Sequence, residues 1–150
     1  MTRISLPEKK LLGEGRQTSG LGQPGDWAGA PRRGRYDAPM RLRTDIWVAA
    51  FLRRCASENV PVFLRRRGAA EAGAIFVKID RLDGTAALFA PAPQSEARED
   101  VARLFLRAHR DEWIASADVE AKLARETGFD PDLWIVEVED RAGRVTLDLV

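Results

Sequence analysis

The closing stretch FDPDLWIVEVEDRAGRVTLDLV, Phe129 to Val150, constrains the fold more than any other part of the chain. Asp130-Pro131-Asp132 ends whatever precedes it, since proline fixes φ and lacks an amide proton. An apolar, β-branched run follows, and Arg141-Ala142-Gly143 turns the chain into a second alternating run. This predicts a β-hairpin, about Leu133 to Glu139 and Val145 to Leu149, with an acidic edge formed by Glu137, Glu139 and Asp140.

A change of texture marks the other end of the chain. From Gly13 to Pro39 seven glycines and three prolines interrupt every candidate period, and such a stretch buries too little apolar surface to offset its ordering entropy. Residues 1–39 are therefore expected to be a disordered tail or an over-extended start, with Met40 as the initiator, and residues 40–150 a single domain. Intact mass of the natural protein tests the start.

Within 40–150 the periods alternate. Thr44 is the expected N-cap of a helix from about Asp45 to Ser57, with Trp47, Val48, Phe51, Leu52 and Cys55 on one stripe and Arg53 and Arg54 pointing away. VPVFLRRR, with Pro61 at its start, reads as an edge strand. AGAIFVKID and TAALFAPA are joined by Asp83-Gly84, a hairpin signal, and the three strands read as a meander. Residues 95–112 fit a helix or a strand, with a strand from about Arg103 to Ala108 preferred. A second helix starts with Ser116 as N-cap, carries Asp118 and Glu120 in its first turn, and stops at Gly128, after which Phe129 packs back on the last turn. The expected class is α+β: a mostly antiparallel sheet of five or six strands, two helices on one face, order α-β-β-β-(β)-α-β-β.

MRLRTDIWVAAFLRR, AGAIFVKIDRLDGTAALFAPAP and FDPDLWIVEVEDRAGR together resemble the bacterial family catalogued as domain of unknown function number 1491, over about residues 40–150. The resemblance implies no reaction, ligand or catalytic residue.

Composition narrows the function classes. The longest apolar run, Ile46 to Leu52, is far short of the roughly 20 residues that span a bilayer, and Pro7, Glu8 and two lysines break any secretory segment, so a cytoplasmic protein is expected. One cysteine and one histidine furnish neither a disulfide nor a zinc set, and no cofactor is expected. Arginine makes up 20 of the 24 basic residues, but residues 40–150 hold 17 basic against 19 acidic groups, so a general pull on nucleic acid is not expected.

Three constellations are candidates for chemistry or recognition. Glu137 and Glu139 share a strand face about 7 Å apart, two rises of the strand, and with Asp132 they offer oxygen ligands to a divalent metal. Against that stands a cross-strand ladder in which Arg65, Arg66, Arg67 or Arg144 pairs with those glutamates, which is the simpler account. Arg53, Arg54, Arg65, Arg66 and Arg67 suit an anion or an acidic partner, or else keep a sheet edge soluble. His109 among charged neighbours reads as a surface residue rather than a general base, Cys55 as a core residue rather than a nucleophile, and Trp47, Trp113 and Trp134 as core aromatics.

The sequence therefore predicts a binding or accessory module with no catalytic residues and no resident metal. Its binding groups are Arg53, Arg54, Arg65, Arg66, Arg67, Glu137, Glu139 and Asp140, and its partner is a protein, a second copy of the chain included. The competing readings are a metal-dependent enzyme on Asp132, Glu137 and Glu139, and RNA binding along the arginine edge.

Overall fold

The computed structural model of the protein describes residues 42–96 and 103–150. The tail expected over 1–39 and the start expected at Met40 lie outside the described residues. In chain order the elements are α1 (Thr44–Ser57), β1 (Val62–Arg66), β2 (Ile75–Asp80), β3 (Thr85–Pro91), β4 (Phe105–Arg107), β5 (Ile114–Ala115), α2 (Ser116–Phe129) and β6 (Trp134–Glu139), with a 3-10 turn at Gln94–Glu96. The class is α+β, and the described residues form two α-helices and a six-stranded sheet ordered β1-β6-β2-β3-β4, with β5 paired to β3. All the strand pairs are antiparallel except β2 with β6.

The helices lie on opposite faces of this sheet, not on one. Ile75, Val77 and Ile79 of β2, Ala87 and Phe89 of β3, and Trp134, Val136 and Val138 of β6 pack with Val48, Phe51 and Cys55 of α1. The intervening residues Phe76, Ala86, Leu88 and Ile135 pack with Val119 and Leu123 of α2. Side chains alternate across a sheet, so strands that are apolar at consecutive positions present two apolar faces, and each needs a cover.

The same fact corrects the expected hairpin and meander. β6 is buried along most of its length and runs between β1 and β2, so β1 meets β6 and not β2. The run Val145–Leu149 is not its hairpin partner. Asp140 accepts from Ala142 N, Arg144 N and Arg144 Nε, and Gly143 takes φ +65°, so the turn sends the chain off the sheet plane. Val145 and Leu147 then pack on the α1-side core, and Leu149 bridges Phe105 of β4. β1 does lie at an edge, as Pro61 suggests, and the strand preferred over Arg103–Ala108 is found as β4.

Both helix starts differ from expectation in one way. Thr44 and Ser116 are the first helical residues rather than caps, and their hydroxyls reach outward, Thr44 Oγ1 to Gly73 O at 3.0 Å and Ser116 Oγ to Asp80 Oδ2 at 3.0 Å. The orphan amides of α1 are met by the loop after β1, through Thr44 N to Glu71 O and Asp45 N to Ala70 O. Beyond α1, Asn59 at φ +55° lets Val60 N return to Cys55 O at 2.9 Å, a left-handed C-terminal cap. α2 runs through Gly128, and Phe129, 86% exposed, does not pack back, because Asp130 continues in extended conformation with no left-handed residue to fold the chain over.

The loop after β1 is pressed against the entry to β6. Ala69 N donates to Asp132 O at 2.9 Å and Trp134 Nε1 donates to Ala69 O at 2.8 Å. A Cβ on Gly68 would come within 1.9 Å of Asp132 O, so only glycine permits this approach.

Candidate functional site

A charged cluster sits between the sheet and α2. Lys78 continues the alternation of β2 onto the α2 face, where its neighbours across β6 and along α2 are acidic. Its Nζ lies 2.9 Å from Asp80 Oδ2, 2.8 Å from Glu120 Oε1 and 3.0 Å from Glu137 Oε1, so each ammonium proton has a carboxylate. Arg65 closes the group from β1, forking onto both oxygens of Glu120 at 2.7 and 3.0 Å and meeting Glu137 Oε2 at 3.0 Å. A bulge between Leu64 and Arg66 aims Arg65 at this face.

Lys78 is only 5% exposed in its side chain. Burial disfavours its charge, but the hydrogen bonds it donates to Glu120, Asp80 and Glu137 outweigh that and hold its pKa well above the ordinary lysine value. The Arg65 guanidinium, with help from Lys78 and against burial, holds Glu120 down to about 2. Asp80 is also lowered despite its burial, by Leu82 N, Lys78 and Ser116. The cluster is ionised, paired and saturated at neutral pH.

The expected ladder is thus formed by Arg65 with Glu137 alone. Arg66 donates to Pro131 O at 2.8 Å, Arg67 lies over the Trp134 ring at 5.8 Å, and Arg144 pairs with Asp140 at 2.7 Å. Glu139 makes no side-chain hydrogen bond or ion pair among the described residues. Asp132 precedes β6 and Glu139 ends it, about 23 Å away at the usual rise per residue, so the candidate metal set is not brought together. Among the described residues no group of three or more His, Cys, Asp or Glu is arranged to hold a metal ion. Lys78, Asp80 and Glu120 escape the sequence reading, although a lysine inside the apolar run IFVKID is the signal that betrays them.

His109 is not a free surface group. Its Nε2 accepts from Leu88 N at 3.0 Å, and its Nδ1 lies 2.7 Å from Asp111 O. Cys55 is 1% exposed, and burial raises its thiol pKa. Trp134 is a core residue, and Trp47 and Trp113 flank the core, as expected.

An open cleft of about 150 Å³ lies on the other helix, lined by Trp47, Ala50, Phe51, Arg54 and Asp148. Trp47 stacks on Phe51, ring centroids 5.1 Å apart and planes 9° from parallel. Arg54 rests over Phe51 at 5.3 Å and donates to Thr146 O. Beside the cleft, Ile46 is 47% exposed, and Arg53 is exposed and has no charged partner among the described residues. No described helix is long and apolar enough to cross a membrane.

Comparison with known proteins agrees with this fold. A crystal structure of a DUF1491 family protein from Caulobacter crescentus CB15 is 38% identical, with a TM-score of 0.60, over 74% of this chain and 99% of that one. A solution structure of a protein from A. tumefaciens is 38% identical, with a TM-score of 0.61, over 74% of this chain and 96% of that one. An NMR structure of a DUF1491 family protein from Caulobacter crescentus CB15 is 40% identical, with a TM-score of 0.59, over 74% and 98%. No curated protein matches the chain. The model of the family described as protein of unknown function, DUF1491, matches residues 42–148, and with these relatives it shows that the chain belongs to the DUF1491 family.

Proposed function

We propose that the protein works by binding another protein in the cytoplasm, as an accessory or interaction module without chemistry of its own. Support comes from where its reactive groups are spent. Lys78, Asp80, Glu120 and Glu137 satisfy one another, both nitrogens of His109 serve the backbone, and Cys55 is sealed in the core. The observation that carries the reading is the cleft on α1, where the half-buried Trp47, stacked on the core residue Phe51, lies beside Arg54, with the exposed Arg53 next to it in the chain. Aromatic residues and arginine are the types that dominate binding energy at protein interfaces. The partner it fits offers an apolar side chain to Trp47 and Ala50 and a carboxylate to the arginines.

Affinity capture with the full chain tests this. Ala50 and Arg53 are exposed, so Ala50→Glu and Arg53→Glu alter the surface without disturbing the core. The expected result is a partner recovered with the natural chain and with a distant control, Glu126→Gln, and lost with both cleft variants. Equal recovery with the cleft variants overturns the assignment of the surface, and recovery of nothing but further copies of the chain overturns the accessory role.

A further inference from the structure

His109 stands just past the end of β4 and does with a side chain what a strand does with its backbone. Ala108 N donates to Leu88 O at 2.8 Å, extending the ladder one residue beyond Arg107. The neighbouring donor, Leu88 N, is met by His109 Nε2 at 3.0 Å instead of a carbonyl. An amide only donates and a carbonyl only accepts, so Nε2 carries the lone pair and Nδ1 carries the proton that Asp111 O receives at 2.7 Å. Both contacts are satisfied only by the neutral ring.

We propose that His109 is a pH-sensitive staple: protonation at Nε2 breaks its bond to Leu88 and frees the loop between β4 and β5 from β3. The loop is a consequential one to release. Ala108 and Ile114 at its ends pack on the α2-side core, and Trp113 packs on the α1-side core. Among the described residues the groups that act on the ring come from β4, α2 and its own loop. Burial pushes its pKa below the ordinary 6.5, and Arg107 on β4 and Lys122 on α2 push the same way. Asp111 in the loop opposes them, and the loop's other charged residues, Arg110 and Glu112, are exposed. A histidine pKa depressed by folding means that the native state binds fewer protons than the unfolded chain. The staple's contribution is therefore complete above pH 6.5 and lost as the pH falls from there toward the ring's lowered value.

Amide exchange followed by NMR on the full chain tests this directly. Between about pH 7.5 and about pH 5, protection of the Leu88 amide, corrected for intrinsic exchange, falls by about tenfold or more, while that of Val136 on central β6 holds. His109→Gln places an oxygen where Nε2 stands and does not titrate, so it keeps the Leu88 amide protected across the range. Constant protection in the natural chain, the same fall in His109→Gln, or imidazole nitrogen shifts that put the proton on Nε2 at neutral pH would each overturn the proposal. Two of these three readings need no variant, so a glutamine protein that failed to fold would leave the proposal testable.

Discussion

Lys78 Nζ on β2 and Glu120 Oε1 on α2 lie 2.8 Å apart, and through that contact a central strand holds the helix that covers it. The two ends are unequal. The lysine side chain is 5% exposed and serves three carboxylates, whereas Glu120 is 41% exposed. A buried charge cannot turn to water when its partner is removed, and a half-exposed one can.

That inequality predicts unequal losses for two substitutions. Lys78→Met leaves three carboxylates, Asp80, Glu120 and Glu137, without their shared ammonium and with Arg65 paired to only two of them, and is expected to cost about 3 to 5 kcal/mol. Glu120→Gln leaves Lys78 with two carboxylates and is expected to cost about 1 kcal/mol. Urea unfolding of both proteins checks the order, and equal losses would mean that the cluster's weight does not rest on the lysine.

Acid should loosen the helix through the same group. Glu120 titrates at about 2 in the folded protein and near 4.5 when unfolded, so its contribution is complete above 4.5 and lost as the pH falls toward 2. Its exposure limits the effect to about 1 kcal/mol. Unfolding free energies at successive pH values between these limits should therefore fall more steeply for the natural chain than for Glu120→Gln, and parallel curves would deny the ion pairs their role.

What the sequence makes legible here follows local rules. The strands around Asp83-Gly84, the edge position of β1 and the α1 stripe all depend on periods and turn residues that neighbours in the chain determine. Strand order depends on contacts far apart in sequence, and the acidic glutamates of β6 suggest a solvated hairpin where the fold has a central strand. Glu137 tolerates that position only because Lys78 and Arg65 meet it, one from each neighbouring strand. Thr44 and Ser116 have the right composition for caps, but a buried carbonyl and a carboxylate supplied by other segments compete for their hydroxyls. The cleft on α1 is assembled in part by Asp148, which no local pattern places beside Trp47.

Two glycines separate close approach from mere placement. Gly68→Ala puts a methyl group into the Asp132 carbonyl and is expected to cost about 3 kcal/mol or more, since backbone on both sides must shift. Gly128→Ala, within α2 and with nothing inside 4 Å of its added carbon, is expected to stabilise by about 0.5 to 1 kcal/mol. Thermal melting of the two proteins side by side reads both signs, and a tolerated alanine at Gly68 would show that the loop does not press on β6 in solution.

Cys55 should be inert until the protein unfolds. Its side chain is 1% exposed between α1 and the sheet, and burial raises the thiol pKa, so the thiolate needed for attack is both scarce and unreachable. An aromatic disulfide reagent should therefore label the native chain only at the rate of global opening, and label it at once in concentrated urea. Cys55→Ala removes a small apolar group and is expected to cost about 1 kcal/mol, whereas Cys55→Ser adds a hydroxyl to an apolar site and is expected to cost about 2 kcal/mol. Rapid labelling under native conditions, unchanged by stabilising salts, would mean that the contact between α1 and the sheet opens locally, and the cleft on that helix would then be a transient surface rather than a fixed one.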